Sequence, residues 1–173
     1  MRNFLSILLL AVTLISWQSV GYATDFASHP TQGQTRVSVE KETKRQKQPA
    51  KGKDIVRTAM IYKGVPYRFG GSSPKGFDCS GFVWYIFDKH GKKLPRTTDK
   101  QFEVGKPVRY KELLPGDVVF FTTYAKGATH CGIFIEGGKF IHASSSHGIM
   151  ISSLGDSYWK PKYLGARRML ELQ

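Results

Sequence analysis

The chain is poor in acid and almost devoid of cysteine: of 173 residues, 13 are acidic against 26 basic, and only two are cysteines, Cys79 and Cys131. Two cysteines exclude a disulfide-stapled scaffold. No Cys-x-x-Cys or His-x-x-x-His spacing occurs, which removes the usual frame of a structural zinc site. There is no internal repeat and no sign of a second domain. The N-terminal apolar run, Phe4 to Ile15, is too short to cross a bilayer comfortably. No cysteine follows it to accept a lipid.

The same run, preceded by Met1-Arg2-Asn3 and followed by small and polar residues, has the build of a secretory signal peptide. Gly21 and Ala23 stand at −3 and −1 of a cleavage site, which places a mature start near Thr24. Residues 1–23 are therefore read as a signal, and the protein as exported to the periplasm or beyond, soluble once the signal is removed. With the one basic residue of the signal gone, 25 basic and 13 acidic side chains leave a charge of +12. Such an excess faces something anionic. Export argues against nucleic acid and for cell-wall polymers or phospholipid head groups. Between Arg36 and Lys53 there are seven basic and two acidic residues and almost nothing apolar. Residues 24–53 read as a basic disordered linker, and a solvated tether without a specific partner is as good a reading as a docking patch.

Residues 54–173 suit one domain with one core, expected as a monomer. Asp54 reads as the N-cap of a short helix carrying Ile55, Val56, Ala59 and Met60, stopped by Gly64 and Pro66. Residues 66–74, rich in glycine and proline, read as a loop. Phe82, Val83, Ile86 and Phe87 give the buried face of a second helix that Gly91 ends, so Cys79 falls at or next to its N-terminus. Thr98 and Gln101 have the spacing of a capping box for a third, from Asp99 to Val104. The period then becomes extended, with strands expected over residues 118–123, 130–136, 139–143 and 148–152. Helices first and antiparallel strands after make an α+β fold.

A thiol attacks a carbonyl as thiolate, and the positive end of a helix favours that form. From position alone, Cys79 is equally a nucleophile and a buried inert cysteine or half of a disulfide. A nucleophilic cysteine needs a histidine base held by a third polar group. His130 and His142 fall on the two strands of one hairpin, and the loop length decides whether they share a face. A two-residue loop, Gly137-Gly138, would pair Ile133 with His142 and separate them. A three-residue loop, Glu136-Gly137-Gly138, would pair Gly132 with His142 and bring them together, with Gly132 leaving room for the ring. The same parity turns Cys131 away from His130 and from Cys79, as a small core residue. Zinc held by Cys79, His130 and His142 finds no support in the spacing, so no metal or cofactor is expected. His29, His90 and His147 read as exposed.

The segments Pro66-Tyr67-Arg68-Phe69-Gly70-Gly71, Phe77-Asp78-Cys79-Ser80-Gly81-Phe82-Val83, Leu94-Pro95-Arg96-Thr97, Leu114-Pro115-Gly116-Asp117-Val118-Val119-Phe120-Phe121, His130-Cys131-Gly132-Ile133 and Phe140-Ile141-His142-Ala143 occur in this order across nearly the whole domain. In them the chain resembles the NlpC-type cysteine peptidases, papain-like endopeptidases of peptidoglycan. The resemblance implies Cys79 as nucleophile, His130 as general base, His142 as the residue orienting it, and Tyr67 as a donor to the oxyanion beside the Cys79 N–H. It also implies that Asp78 and Ser80 line the substrate cleft, with Arg96 beside them in a role equally filled by a surface ion pair. The activity implied is hydrolysis of a peptide bond in a stem peptide or cross-link, of D,L-endopeptidase type. The same fold also accommodates an amidase, an acyltransferase or a non-catalytic wall-binding module. Cysteine at position 131 departs from the family, where a branched apolar residue is usual. So does the lack of a lipid-acceptor cysteine or a wall-binding module, which leaves wall targeting to the basic segment.

Overall fold

The computed structural model describes residue 37 and residues 51–170; the signal-peptide expectation and nearly all of the linker lie outside these. The first helix of the domain (α1) already runs at residues 51–53 and continues to residue 60. Asp54 is therefore inside the helix, paired with Arg57, and does not cap it. Gly52 lies so close to the Pro115-Gly116 turn that a side chain there would overlap the Pro115 carbonyl. One turn on, Ile55 and Ala59, four residues apart, are fully buried. None of the described helices is long and apolar enough to cross a membrane.

Residues 66–77 are less irregular than their glycines and prolines suggest. Ser72–Ser73 (β1) and Gly76–Phe77 (β2) pair as a small antiparallel hairpin that leads into Cys79–Lys89 (α2). Asp78 caps α2, its carboxylate accepting from the Gly81 N–H, and Gly91 follows the helix in the left-handed region. Phe82, Val83, Ile86 and Phe87 are fully buried on one face of α2, each contributing about 1.5–3 kcal/mol of apolar burial.

Thr98–Glu103 (α3) forms where expected but without a capping box, because Thr97 is the cap residue and makes no side-chain cap bond. Gln101 turns inward instead: its amide donates to the Ser80 and Pro95 carbonyls, tying α3 to the start of α2.

The remaining strands are Lys106–Val108 (β3), Val118–Phe121 (β4), His130–Phe134 (β5), Lys139–Ser144 (β6), Gly148–Ser153 (β7) and Tyr163–Arg168 (β8). They form one antiparallel sheet in the order β3-β8-β4-β5-β6-β7. The four strands expected from sequence are present, while β3 and β8 are additions. Pro107 is tolerated because β3 is an edge strand. The arginines of β8 look like solvent charge, yet Arg168 pairs with Asp117, which is only 2% exposed, and Arg167 lies over the Phe102 ring. Their long stems make a sheet strand of an apparently polar segment. One face of the sheet, with Phe120, Cys131, Ile133 and Ile141, packs under α1 and α2. The other, with Val119, Phe121, Phe134 and Phe140, forms a second cluster closed by Trp159 and Tyr163. This is an α+β, papain-like arrangement.

Candidate active site

The β5–β6 hairpin sets the geometry of the site. Ile133 pairs with Ile141 and Phe134 with Phe140, the register of the three-residue loop, in which Gly137 and Gly138 adopt φ of 58° and 73°. In this register Gly132 lies across from His142. A Cβ at Gly132 would sit 2.8 Å from the Ile141 carbonyl oxygen and 2.9 Å from His142 Cβ, so only glycine lets the imidazole lie over it. The two histidines then share a face, with His130 Nε2 2.9 Å from His142 Nδ1. On its far side His142 Nε2 lies 3.0 Å from Ser152 Oγ.

Aromatic rings hold the pair on several sides. Trp159 stacks on His130 with centroids 5.2 Å apart and meets His142 edge-on, while Phe140 stacks beneath His142. Burial, followed by the repulsion a charged His130 would exert, lowers the His142 pKa to about 3, so this ring is neutral near pH 7.

Cys79 is the first residue of α2, beside N–H groups that have no acceptor within the helix. Its thiol pKa is lowered from 9 to about 4. A hydrogen bond from Cys131 is the largest cause; bonds from His130 and Thr98 and the charge of His130 add to it, and burial opposes them. The Cys79 sulfur is 3.6 Å from Thr98 Oγ1, which is 3.8 Å from the Cys131 sulfur.

Cys131 is thus not turned away from Cys79, as strand parity suggested. The Thr98 hydroxyl lies within reach of both sulfurs, and the Cys131 thiol donates to Gln101 Oε1 at 3.6 Å. Cys131 is nevertheless a fully buried core residue, and both cysteines are free. Burial first, then the neighbouring Cys79, raise its pKa well above the ordinary value, so only one of the two thiols is prepared to ionise.

Cys79 lines two adjoining cavities, of about 350 and 600 Å³, that form a single cleft across the site. The smaller holds His130, His142, Trp159 and the Ser144–Ser146 turn. The larger holds Asp78, Ser80, Arg96, Thr98 and the exposed Phe69. Tyr67 and Tyr124 border both. Burial and the nearby Cys79 raise the Tyr67 pKa, keeping its hydroxyl a proton donor.

The Asp78 carboxylate takes a two-point bond from Arg96, at 3.0 and 2.6 Å, as well as bonds from Ser80 Oγ and the Gly81 N–H. Arg96 also donates to Ser80 Oγ and the Gly71 carbonyl. All seven site residues expected from the sequence come together around this cleft. Thr98, Tyr124, Ser152 and Trp159 join them; the spacing of Thr98 signals only a helix cap, and the other three carry no spacing signal.

A thiol of lowered pKa at a helix N-terminus, sharing a cleft with a histidine pair on an antiparallel sheet, sits here in a papain-like α+β domain. The chain belongs to the NlpC/P60 family, whose sequence model matches residues 64–168. It is 49% identical over 117 residues to the gamma-DL-glutamyl hydrolase of Bacillus subtilis strain 168, covering 66% of this chain and 28% of that protein. It is also 49% identical over 110 residues to "Murein DD-endopeptidase MepS/Murein LD-carboxypeptidase" of Escherichia coli K12, covering 63% and 58% respectively. The chain therefore spans between about a quarter and three-fifths of these two relatives. Among solved structures, an NlpC/P60 family protein from Bacillus cereus ATCC 10987 superimposes with a TM-score of 0.66 at 34% identity, over 69% of this chain and 40% of that one.

Proposed function

We propose that the protein is an exported peptidoglycan hydrolase that cleaves a peptide bond in a stem peptide or cross-link by a cysteine-histidine mechanism. The observation that carries this reading is an open cleft lined together by Cys79, His130 and His142, with the two imidazoles in hydrogen-bond contact. Cys79 attacks the carbonyl as thiolate, and His130, having taken the thiol proton, delivers it to the leaving amine. Water, activated by His130, then releases the acyl-enzyme. His142 orients His130. Tyr67 and the Cys79 N–H donate to the oxyanion. Asp78, Ser80 and Arg96 form the polar wall against which the stem peptide lies, consistent with the wall-peptide hydrolases among the relatives.

The test is digestion of purified sacculi followed by mass spectrometry of the released muropeptides. Wild-type protein releases new peptide termini, whose position identifies the bond. Cys79→Ala folds and releases none; retained cleavage by that variant refutes the assignment. Under the same proposal the basic segment 36–53 contributes wall affinity, and its deletion weakens binding to isolated sacculi.

A further inference from the structure

We propose that Ser152 is a positioning residue that fixes the tautomer of His142, and through it the protonated form of His130; this rests on the catalytic reading above. Ser152 lies on β7, two residues along from Met150, which pairs directly with His142. It is the same-face diagonal neighbour of the histidine. Its hydroxyl is 3.0 Å from His142 Nε2, and it lines neither half of the cleft.

The chain of bonds has one consistent proton arrangement. Once His130 has taken the thiol proton, both of its ring nitrogens are donors, and Nε2–H points at His142 Nδ1, 2.9 Å away. His142 must then accept at Nδ1. Being neutral, it carries its single hydrogen on Nε2, where an acceptor is required. Ser152 Oγ is that acceptor. The proton transferred to the leaving amine is the one His130 holds toward Cys79, so the Nε2–H of His130 stays in place and His142 keeps one tautomer through the cycle. Without the hydroxyl, His142 is free to place its hydrogen on Nδ1, donor against donor with His130, which disfavours the imidazolium and the thiolate it supports.

Cys79 is the titratable group facing His130, and His130 the one facing His142. Phe121 of β4, Phe140 of β6 and Trp159 of the β7–β8 connection, which pack on the two rings, carry no charge.

The experiment compares wild type, Ser152→Ala and Ser152→Thr by the rate of Cys79 alkylation with iodoacetamide against pH. Ring-nitrogen NMR of the labelled proteins is recorded in parallel. In wild type, His142 shows a protonated Nε2 and a bare Nδ1. In Ser152→Ala the two tautomers mix, and the acid limb of alkylation moves up by the equivalent of about five- to tenfold in thiolate stability, the size of one lost hydrogen bond. Ser152→Thr restores both. A wild-type His142 protonated on Nδ1, or an alanine variant with an unshifted profile, overturns the proposal. Neither readout needs a wall substrate, so failure to cleave peptidoglycan refutes the enzymatic reading and leaves this one to its own measurements.

Discussion

Gly132→Ala tests the hairpin that brings the two histidines together. A Cβ at this position would lie 2.8 Å from the Ile141 carbonyl oxygen, 2.8 Å from Phe140 Cδ2 and 2.9 Å from His142 Cβ, each several tenths of an ångström inside ordinary contact. The first is backbone of the neighbouring strand and cannot retreat without lengthening the ladder. The second belongs to a ring that is fully buried and packed against Phe121 and Trp159. Relief falls on the third, which carries the imidazole. Overpacking of this kind costs about 1–3 kcal/mol. For a domain of this size it lowers Tm by roughly 4–15 °C. Under the proposed mechanism, a displacement of His142 of about 1 Å would reduce catalysis on the order of 100-fold, far beyond the fraction of protein unfolded at 25 °C. Thermal denaturation followed by circular dichroism and the alkylation rate of Cys79 measure the two effects separately. An alanine variant with wild-type Tm and wild-type thiol reactivity would show that the close approach is not real.

Three further outcomes are expected. Arg168→Ala leaves Asp117 buried without its two-point partner and should destabilise the domain by about 3–5 kcal/mol in urea titrations; a loss below about 1 kcal/mol contradicts the pairing. Because the His142 pKa falls from an ordinary 6.5 to about 3 on folding, the unfolded chain binds the extra proton between those values. Stability is therefore fully present above pH 6.5 and declines as the pH falls toward 3, and His142→Asn should flatten that decline in acid titrations. Finally, with the Cys79 pKa lowered to about 4 and that of Cys131 raised, iodoacetamide should label Cys79 in the native protein from about pH 5 upward while Cys131 reacts only after unfolding. Equal labelling of both would contradict the assignment of a single prepared thiol.

The parts of the site readable from sequence depended on local chemistry. Phe82, Val83, Ile86 and Phe87 have the spacing of a buried helix face, so Cys79 could be placed at its start. The two glycines at 137 and 138, together with the bare Gly132, offer the three-residue hairpin in which His130 and His142 meet, and the pairing of β5 with β6 selects it. What escaped depended on contacts distant in the chain. β8 was missed because Arg167 and Arg168 are recognisable as sheet residues only when Phe102 and Asp117 are beside them. Thr98 has the spacing of a cap, and only the approach of two sulfurs gives its hydroxyl a different partner. Strand alternation is sound for the body of β5 but not at its tip, where the Thr98 hydroxyl reaches the sulfurs of both Cys79 and Cys131 while His130 shares the cleft with Cys79. Ser152 stands between Ile151 and Ser153 with nothing to single it out before β6 and β7 are paired.

The Asp78 carboxylate belongs simultaneously to the frame of the nucleophile and to the wall of the cleft: it caps the helix that begins with Cys79 and clamps Arg96, which reaches Ser80 and the Gly71 carbonyl. The wall of the cleft and the helix that carries the thiol are therefore mechanically joined in this domain. A change that reshapes the wall at this carboxylate also loosens the first turn of α2, so altering the cleft is better begun at Phe69 or Tyr124, which border it while standing almost fully in solvent.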